Sequence, residues 1–209
     1  RDSAARGIAL RICGGGTKDF HGPGAPHHAG ESLDMRPLAG IVSYEPSELV
    51  VTALAGTPLA ELEALLAQHG QSLAFEPPRF APGGTVGGMV AAGLSGPARA
   101  SVGAVRDYLL GVTLFNGRAE LLTFGGQVMK NVAGYDVSRL MAGAWGTLGL
   151  LTEVSLKVLP VAPGEATLRF DDINQADALR KLHAWGGQPL PLNASCWVQD
   201  GGVGTLYVR

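Results

Sequence analysis

Three glycine-rich runs carry most of the chemistry this sequence offers. The first is Cys13-Gly14-Gly15-Gly16-Thr17-Lys18, and the second is Ala81-Pro82-Gly83-Gly84-Thr85-Val86-Gly87-Gly88-Met89. The third runs from Lys130-Asn131-Val132-Ala133-Gly134-Tyr135-Asp136-Val137-Ser138-Arg139-Leu140 to Gly143-Ala144-Trp145-Gly146-Thr147-Leu148-Gly149. Of 31 glycines, 18 fall within 14–24, 83–103 and 125–149, so backbone is freed at particular places despite the entropy that glycine costs. Consecutive glycines let N–H groups converge on an anion, and Thr17 and Lys18 add a hydroxyl and a charge. Thr85 can open a helix whose free N–H groups favour the same ligand. Gly87 and Gly88 strip side chains from the first turns, which suits either a flat ligand lying on the backbone or close helix–sheet packing. The first run is not a Rossmann fingerprint, which would need glycine where Asp19 stands, nor a Walker A loop, since no Ser or Thr follows Lys18.

Side-chain chemistry is sparse beside this. Cys13 and Cys196 have no metal-ligand spacing and read as buried free thiols of a reducing compartment, and two cysteines cannot ligate an iron–sulfur cluster. No metal site is expected: His27 and His28 are adjacent, so their rings seldom converge, and no third ligand is evident. Arg180, Lys181 and His183 read as a solvated helix face, and no catalytic constellation emerges. With 16 Lys and Arg against 18 Asp and Glu, the net charge of −2 supplies no field for a nucleic acid. No apolar run reaches the roughly 18 residues of a membrane span. The chain opens at Arg1 without Met, so its natural start is expected upstream.

Elements must position these runs. At 209 residues and 46% hydrophobic content the chain folds, as one domain and part of a second. Ile8–Cys13, Ile41–Tyr44, Leu49–Leu54, Leu109–Phe115, Ala119–Phe124 and Leu148–Leu159 read as strands. Asn116-Gly117 is a hairpin signal. Thr57 and Pro58 suit the N-cap and first position of a helix with Leu59, Leu62, Leu65 and Leu66 on one stripe, ended by Gly70. Short helices are expected near Thr85–Ala92 and Asp136–Ala142. Beyond Pro160–Gly164 a strand (Ala166–Phe170), a helix capped by Asn174 with Ala176, Leu179, Leu182 and His183 on one side, and strands Cys196–Gln199 and Thr205–Val208 form a β-α-β-β unit.

Taken in order, Gly14–Lys18, Pro82–Gly88 and the long run Lys130–Pro160 resemble the FAD-binding domain of the vanillyl-alcohol oxidase / p-cresol methylhydroxylase (PCMH-type) family. The third run is similar to the glycolate oxidase and D-lactate dehydrogenase branch, including the FAD-binding E subunits of bacterial glycolate oxidases. The resemblance implies an α+β fold: a two-lobed FAD-binding domain over 1–163, then the start of an α+β cap domain over 164–209. The family's opening strand and helix, and most of its cap, are expected to be absent.

The resemblance also implies a site. Gly14, Gly15, Gly16, Thr17 and Lys18 would wrap the pyrophosphate of FAD, and Pro82, Gly83, Gly84, Thr85, Gly87 and Gly88 would line it and the inner edge of the flavin. Ser101, Gly103, Arg106 and Asp107 match a stretch beside the flavin, although Ser101-Val102 lacks the family's aromatic-Gly form. Gly146, Thr147, Gly149 and Leu150 would hold the adenosine or ribityl side, while Tyr135 and Asp136 brace their loop. FAD is expected to be non-covalent, because no His stands in the first loop where some members attach it; His21, His27 and His28 lie downstream. Replacing Gly15 with Val is expected to weaken FAD binding more than stability. The implied function is the FAD-binding subunit of a 2-hydroxy-acid (glycolate) oxidase or dehydrogenase complex, an FAD-dependent oxidoreductase acting on CH–OH groups. The alternative is a non-catalytic flavin-binding or structural companion. Implied partners are glycolate, a second flavin subunit and an iron–sulfur subunit, in the cytoplasm and held peripherally at the inner membrane through those partners.

Overall fold

The structure, a computed structural model, describes residues 2–21, 30–126 and 134–209. In chain order its elements are α1 (Asp2–Ala5), β1 (Leu10–Cys13), β2 (Glu31–Asp34), β3 (Ile41–Glu45), β4 (Val50–Leu54), α2 (Leu59–Gln68), β5 (Gln71–Ser72), α3 (Val86–Ala92), α4 (Arg99–Val102), α5 (Val105–Tyr108), β6 (Leu109–Phe115) and β7 (Leu121–Gly125). They continue as α6 (Val137–Met141), β8 (Leu150–Lys157), β9 (Leu159–Pro160), β10 (Leu168–Phe170), α7 (Gln175–Gly186), β11 (Ser195–Asp200) and β12 (Val203–Val208).

Two compact units divide the chain: 1–73, 77–94 and 104–161 in one, and 74–76, 95–103 and 162–209 in the other. The first is built on a five-stranded antiparallel sheet of order β3-β4-β8-β6-β7. Apolar residues on these strands and on α2 and α3 make its core, with Val51, Leu62, Leu66, Val86, Val90, Val154 and Leu156 fully buried. Thr52 and Ser155 share a buried hydroxyl hydrogen bond at 2.9 Å. A separate parallel pair, β1 and β2, is joined in register from Leu10↔Glu31 to Cys13↔Asp34.

Local chemistry explains where elements depart from expectation. Helix α2 begins at Leu59 rather than Pro58, because Pro58 is extended (φ −56°, ψ 129°) and bridges Thr85. Thr57 does not cap it. Its buried hydroxyl accepts from the Gly40 N–H (2.9 Å) and donates to the Gly40 carbonyl (3.0 Å). The β6–β7 hairpin forms as expected, but Ala119, not Gly117, takes the left-handed conformation (φ 58°). Asn116 organises that turn, its side-chain oxygen accepting from the Arg118 and Glu120 N–H groups. Strand β2 had no sequence signal, since Glu31–Asp34 is mostly exposed and lacks clean alternation.

In the second unit, β10-β12-β11 form an antiparallel sheet. Helix α7 is capped by Asn174, which accepts from the Asp177 N–H. The helix covers the sheet through Ala178, Leu182 and Trp185, packed with Phe170, Trp197 and Leu206. The stripe expected from sequence was rotated: Leu179 is exposed. Residues 74–76 and 95–103 join this unit through Glu76, whose carboxylate accepts from the Ala98 N–H (3.0 Å) and pairs with Arg209. No helix among the described residues is long and apolar enough to cross a membrane.

The Thr57–Gly40 pair yields a test. Thr57→Val keeps the shape but leaves the part-buried Gly40 N–H unpaired and its carbonyl with only the Leu54 N–H, and should cost about 1 kcal/mol of stability in urea unfolding. Thr57→Ser should retain most of it.

Candidate functional site

Strand β1 ends at Cys13 and delivers the chain directly into Gly14–Lys18. Opposite it, the turn Pro82–Gly84 leads into α3, whose N-cap Thr85 accepts from the Gly88 N–H through its hydroxyl (3.1 Å). The two loops touch main chain to main chain. A Cβ on Gly15 would lie 1.7 Å from the Gly83 carbonyl oxygen, and one on Gly14 would lie 2.6 Å from the Thr85 hydroxyl. The same closeness fixes α3 on the sheet, where a Cβ on Gly87 would lie 2.7 Å from that of Ala55. Gly88 and Gly84 are different: a Cβ would meet only the Thr85 and Thr17 hydroxyls, at 2.9 and 3.6 Å.

A cavity of about 150 Å³ opens between these loops. Gly14, Gly15, Gly16, Thr17, Lys18, Thr85, Gly87, Gly88, Gly146 and Gly149 all line it. The N–H groups of Gly14 through Lys18, and of Gly83, Gly84 and Thr85, donate to no acceptor among the described residues. The Thr17 hydroxyl and the Lys18 ammonium have no partner there either. Lys18 and Asp19 are the charged residues lining the cavity, and burial pulls the Lys18 ammonium below the usual lysine range. Unpaired donors beside a partly desolvated cation are chemistry for an anion.

A second cavity of about 990 Å³ shares Ile12, Gly146 and Gly149 with the first and continues between β1–β2 and the start of β8. Thr147 and Leu150 line it. The Thr147 hydroxyl donates to the Ala144 carbonyl at 2.6 Å, holding that turn. Together the cavities make a groove suited to a long ligand with its charged part at the glycine loops.

Not every residue singled out in the sequence comes to this groove. Pro82, Gly83 and Gly84 line neither cavity, although the Gly83 carbonyl lies against Gly15. Asp107 is a helix cap, its carboxylate accepting from the Ala104 N–H at 2.8 Å, and Arg106 on the same turn is exposed. Ser101 and Gly103 belong to the second unit. Asp136 caps α6 and pairs with Arg139 at 3.1 Å, so it braces its loop, whereas Tyr135 is 94% exposed among the described residues. Lys130–Ala133, His27 and His28 lie outside the described residues. His21 stacks on Trp145. The two cysteines are not buried as expected: Cys13, at the end of an edge strand, is half-buried and Cys196 is exposed. Arg180, Lys181 and His183 are exposed on α7, with Arg180 paired to Asp177. No group of three metal-ligating side chains occurs among the described residues. Sequence reasoning passed over Met35, Ala91, Met141 and Trp145, which line the first cavity. Trp145 carried a usable signal, a large residue next to Gly146 in a turn.

The profile of the family described as "FAD binding domain" matches residues 1–138. The chain is 46% identical over 204 residues to the Escherichia coli protein named glycolate oxidase subunit GlcE, an alignment covering 94% of this chain and 57% of that protein. It is 29% identical over 164 residues to Bacillus subtilis glycolate oxidase subunit GlcD, covering 78% and 33%. The chain thus spans little more than half, or a third, of these relatives. Among solved structures, an alkyldihydroxyacetonephosphate synthase matches 99% of this chain and 43% of its own, with a TM-score of 0.73 at 20% identity, which shows the shared fold.

The loop geometry and Lys18 can each be tested by substitution. Gly15→Ala should lose about 3 kcal/mol of stability together with FAD affinity, because its Cβ meets backbone; the expectation that Gly15 matters for ligand more than for stability is corrected. Gly84→Ala should stay within about 0.5 kcal/mol of wild type in urea, yet weaken FAD in a fluorescence titration. Lys18→Met should weaken FAD about tenfold and flatten the salt dependence of binding. Because its folded-state pKa is lowered, the folded chain binds fewer protons than the unfolded one just below the ordinary lysine value. The unliganded protein should therefore gain stability as pH rises through that window, and Lys18→Met should abolish the gain.

Proposed function

The chain belongs to the FAD binding domain family, of the PCMH type, and on that premise we propose that it is the FAD-binding subunit of a 2-hydroxy-acid oxidase or dehydrogenase complex that acts on glycolate. Its cofactor is FAD. The observation that carries the site assignment is the run of main-chain N–H groups from Gly14 to Lys18 with no acceptor among the described residues, lining one cavity with Thr85 and Gly88. A pyrophosphate satisfies them. Lys18 adds the cation, and the larger cavity with Gly146, Thr147, Gly149 and Leu150 takes the rest of the dinucleotide. Pro82, Gly83 and Gly84 back the first loop through the Gly15–Gly83 contact, whereas Ser101, Gly103, Arg106 and Asp107, which the resemblance set beside the flavin, line neither cavity.

When bound, FAD supplies the two-electron acceptor for oxidation of a 2-hydroxy acid to the 2-oxo acid. The chain's own part is to seat the phosphates on N–H donors, to offset their charge at Lys18, and to keep the loops apart by no more than a glycine's width. Attachment is non-covalent, since the first loop holds no histidine and the His21 ring is stacked on Trp145. Residues 1–163 act as the FAD-binding domain and 164–209 as the start of a cap. The relatives named as subunits support a multi-subunit setting; an iron–sulfur subunit and a second flavin subunit are the proposed partners, in the cytoplasm or at the inner membrane through them.

A second reading, a flavin-binding companion that does not turn over substrate, is favoured by the exposed, dispersed cations of α7, which offer no base and carboxylate clamp. The visible spectrum of the full-length protein separates the two. Flavin absorption near ~450 nm that bleaches anaerobically with glycolate is the expected result. A yellow protein that glycolate leaves unbleached assigns turnover to a partner, and a colourless one that takes up no added FAD overturns the site.

A further inference from the structure

A row of aromatic rings ties together the loops that carry the three glycine runs. Phe80, just before the second run, meets Phe20 edge to face at 4.9 Å. Phe20 adjoins His21, just after the first run, at 6.3 Å. His21 stacks on Trp145, within the third run, at 4.8 Å and 21° between planes. Only Trp145 of the four lines the first cavity, and it is the single aromatic residue among the described residues that does so. Its backbone is left-handed (φ 52°), a conformation glycine adopts far more readily. The residue is pinned there by its N–H donating to the Ala91 carbonyl at 2.9 Å and by the ring stack. The indole is thus held against local backbone preference, at the edge of the cavity that faces the glycine loops.

We propose that Trp145 is a cofactor-positioning residue: its indole, braced by His21, walls the groove beside Gly14–Lys18 and slows release of the bound dinucleotide. The inference rests on the FAD reading of the groove. Flat aromatic surface packs well against the rings and sugars of a dinucleotide, and the other described residues lining this cavity offer aliphatic, thioether, glycine, small polar or charged surface, with no second flat ring. Bracing by a second ring lets the indole act as a wall instead of a freely rotating side chain.

The left-handed backbone makes the assignment separable from a purely structural role, because removing the indole relieves local strain. In the full-length protein, Trp145→Gly should leave the melting temperature of the FAD-free form unchanged or raised while FAD dissociates about tenfold faster, followed by recovery of flavin fluorescence. Trp145→Phe, which keeps a ring for His21 to stack on, should restore the rate to within about threefold of wild type. A Trp145→Gly protein that holds FAD as long as wild type overturns the proposal. So does one whose FAD-free melting temperature falls in step with its FAD retention. Wild-type protein that takes up no FAD overturns the reading of the groove as well as this inference, so the two failures are distinguishable.

Discussion

The absence of a side chain at Gly15 sets the rest of the site. Its backbone lies against the Gly83 carbonyl so closely that a Cβ would sit 1.7 Å from the oxygen. This contact joins the end of a parallel strand pair to the turn that starts a helix on the antiparallel sheet. Once the loops meet there, Gly14 must pass the Thr85 hydroxyl, and Thr85 is free to cap its own helix through Gly88. The unpaired N–H groups then share one cavity. Gly87 against Ala55 repeats the device one layer deeper, seating the helix on the sheet.

The same arrangement explains how a chain with net charge −2 can offer a site for a diphosphate. Fixed backbone dipoles need no reorganisation and carry no net charge to be screened. A single half-buried cation, Lys18, supplements them. A lysine- and arginine-lined groove would attract any polyanion, whereas convergent N–H groups in a narrow cleft select by shape as well as by charge.

Much of this was legible from residues alone, for definable reasons. Apolar strand runs and helix-start signals located β4, β6, β8, the helix opened by Thr85, a short helix beginning near Asp136, and the Asn174-capped helix. Glycine density located the loops. What failed to show was chosen by tertiary contact. Thr57 looked like a cap but spends its hydroxyl on Gly40, seventeen residues upstream. The face of α7 was misjudged because Leu179 has the apolarity of a core residue while Ala178 occupies the core. Gly15 and Gly84 are indistinguishable by type, yet one contacts backbone and the other faces nearly open space. The role of Trp145 depends on a dihedral angle and on a ring 124 positions away in sequence.

The strand order β3-β4-β8-β6-β7 has a bearing on how this chain comes to exist. The central strand, β8, is the last of the five to be synthesised, yet it alone joins the β3–β4 half to the β6–β7 hairpin. Until residues 150–157 leave the ribosome, both halves present open, apolar edges, with Val51 and Val112 still waiting for their neighbours Leu156 and Val154. Nascent chains stalled before that point are therefore the form most exposed to aberrant pairing with one another. Arrival of a single eight-residue segment closes the sheet, and with it the floor beneath both glycine loops.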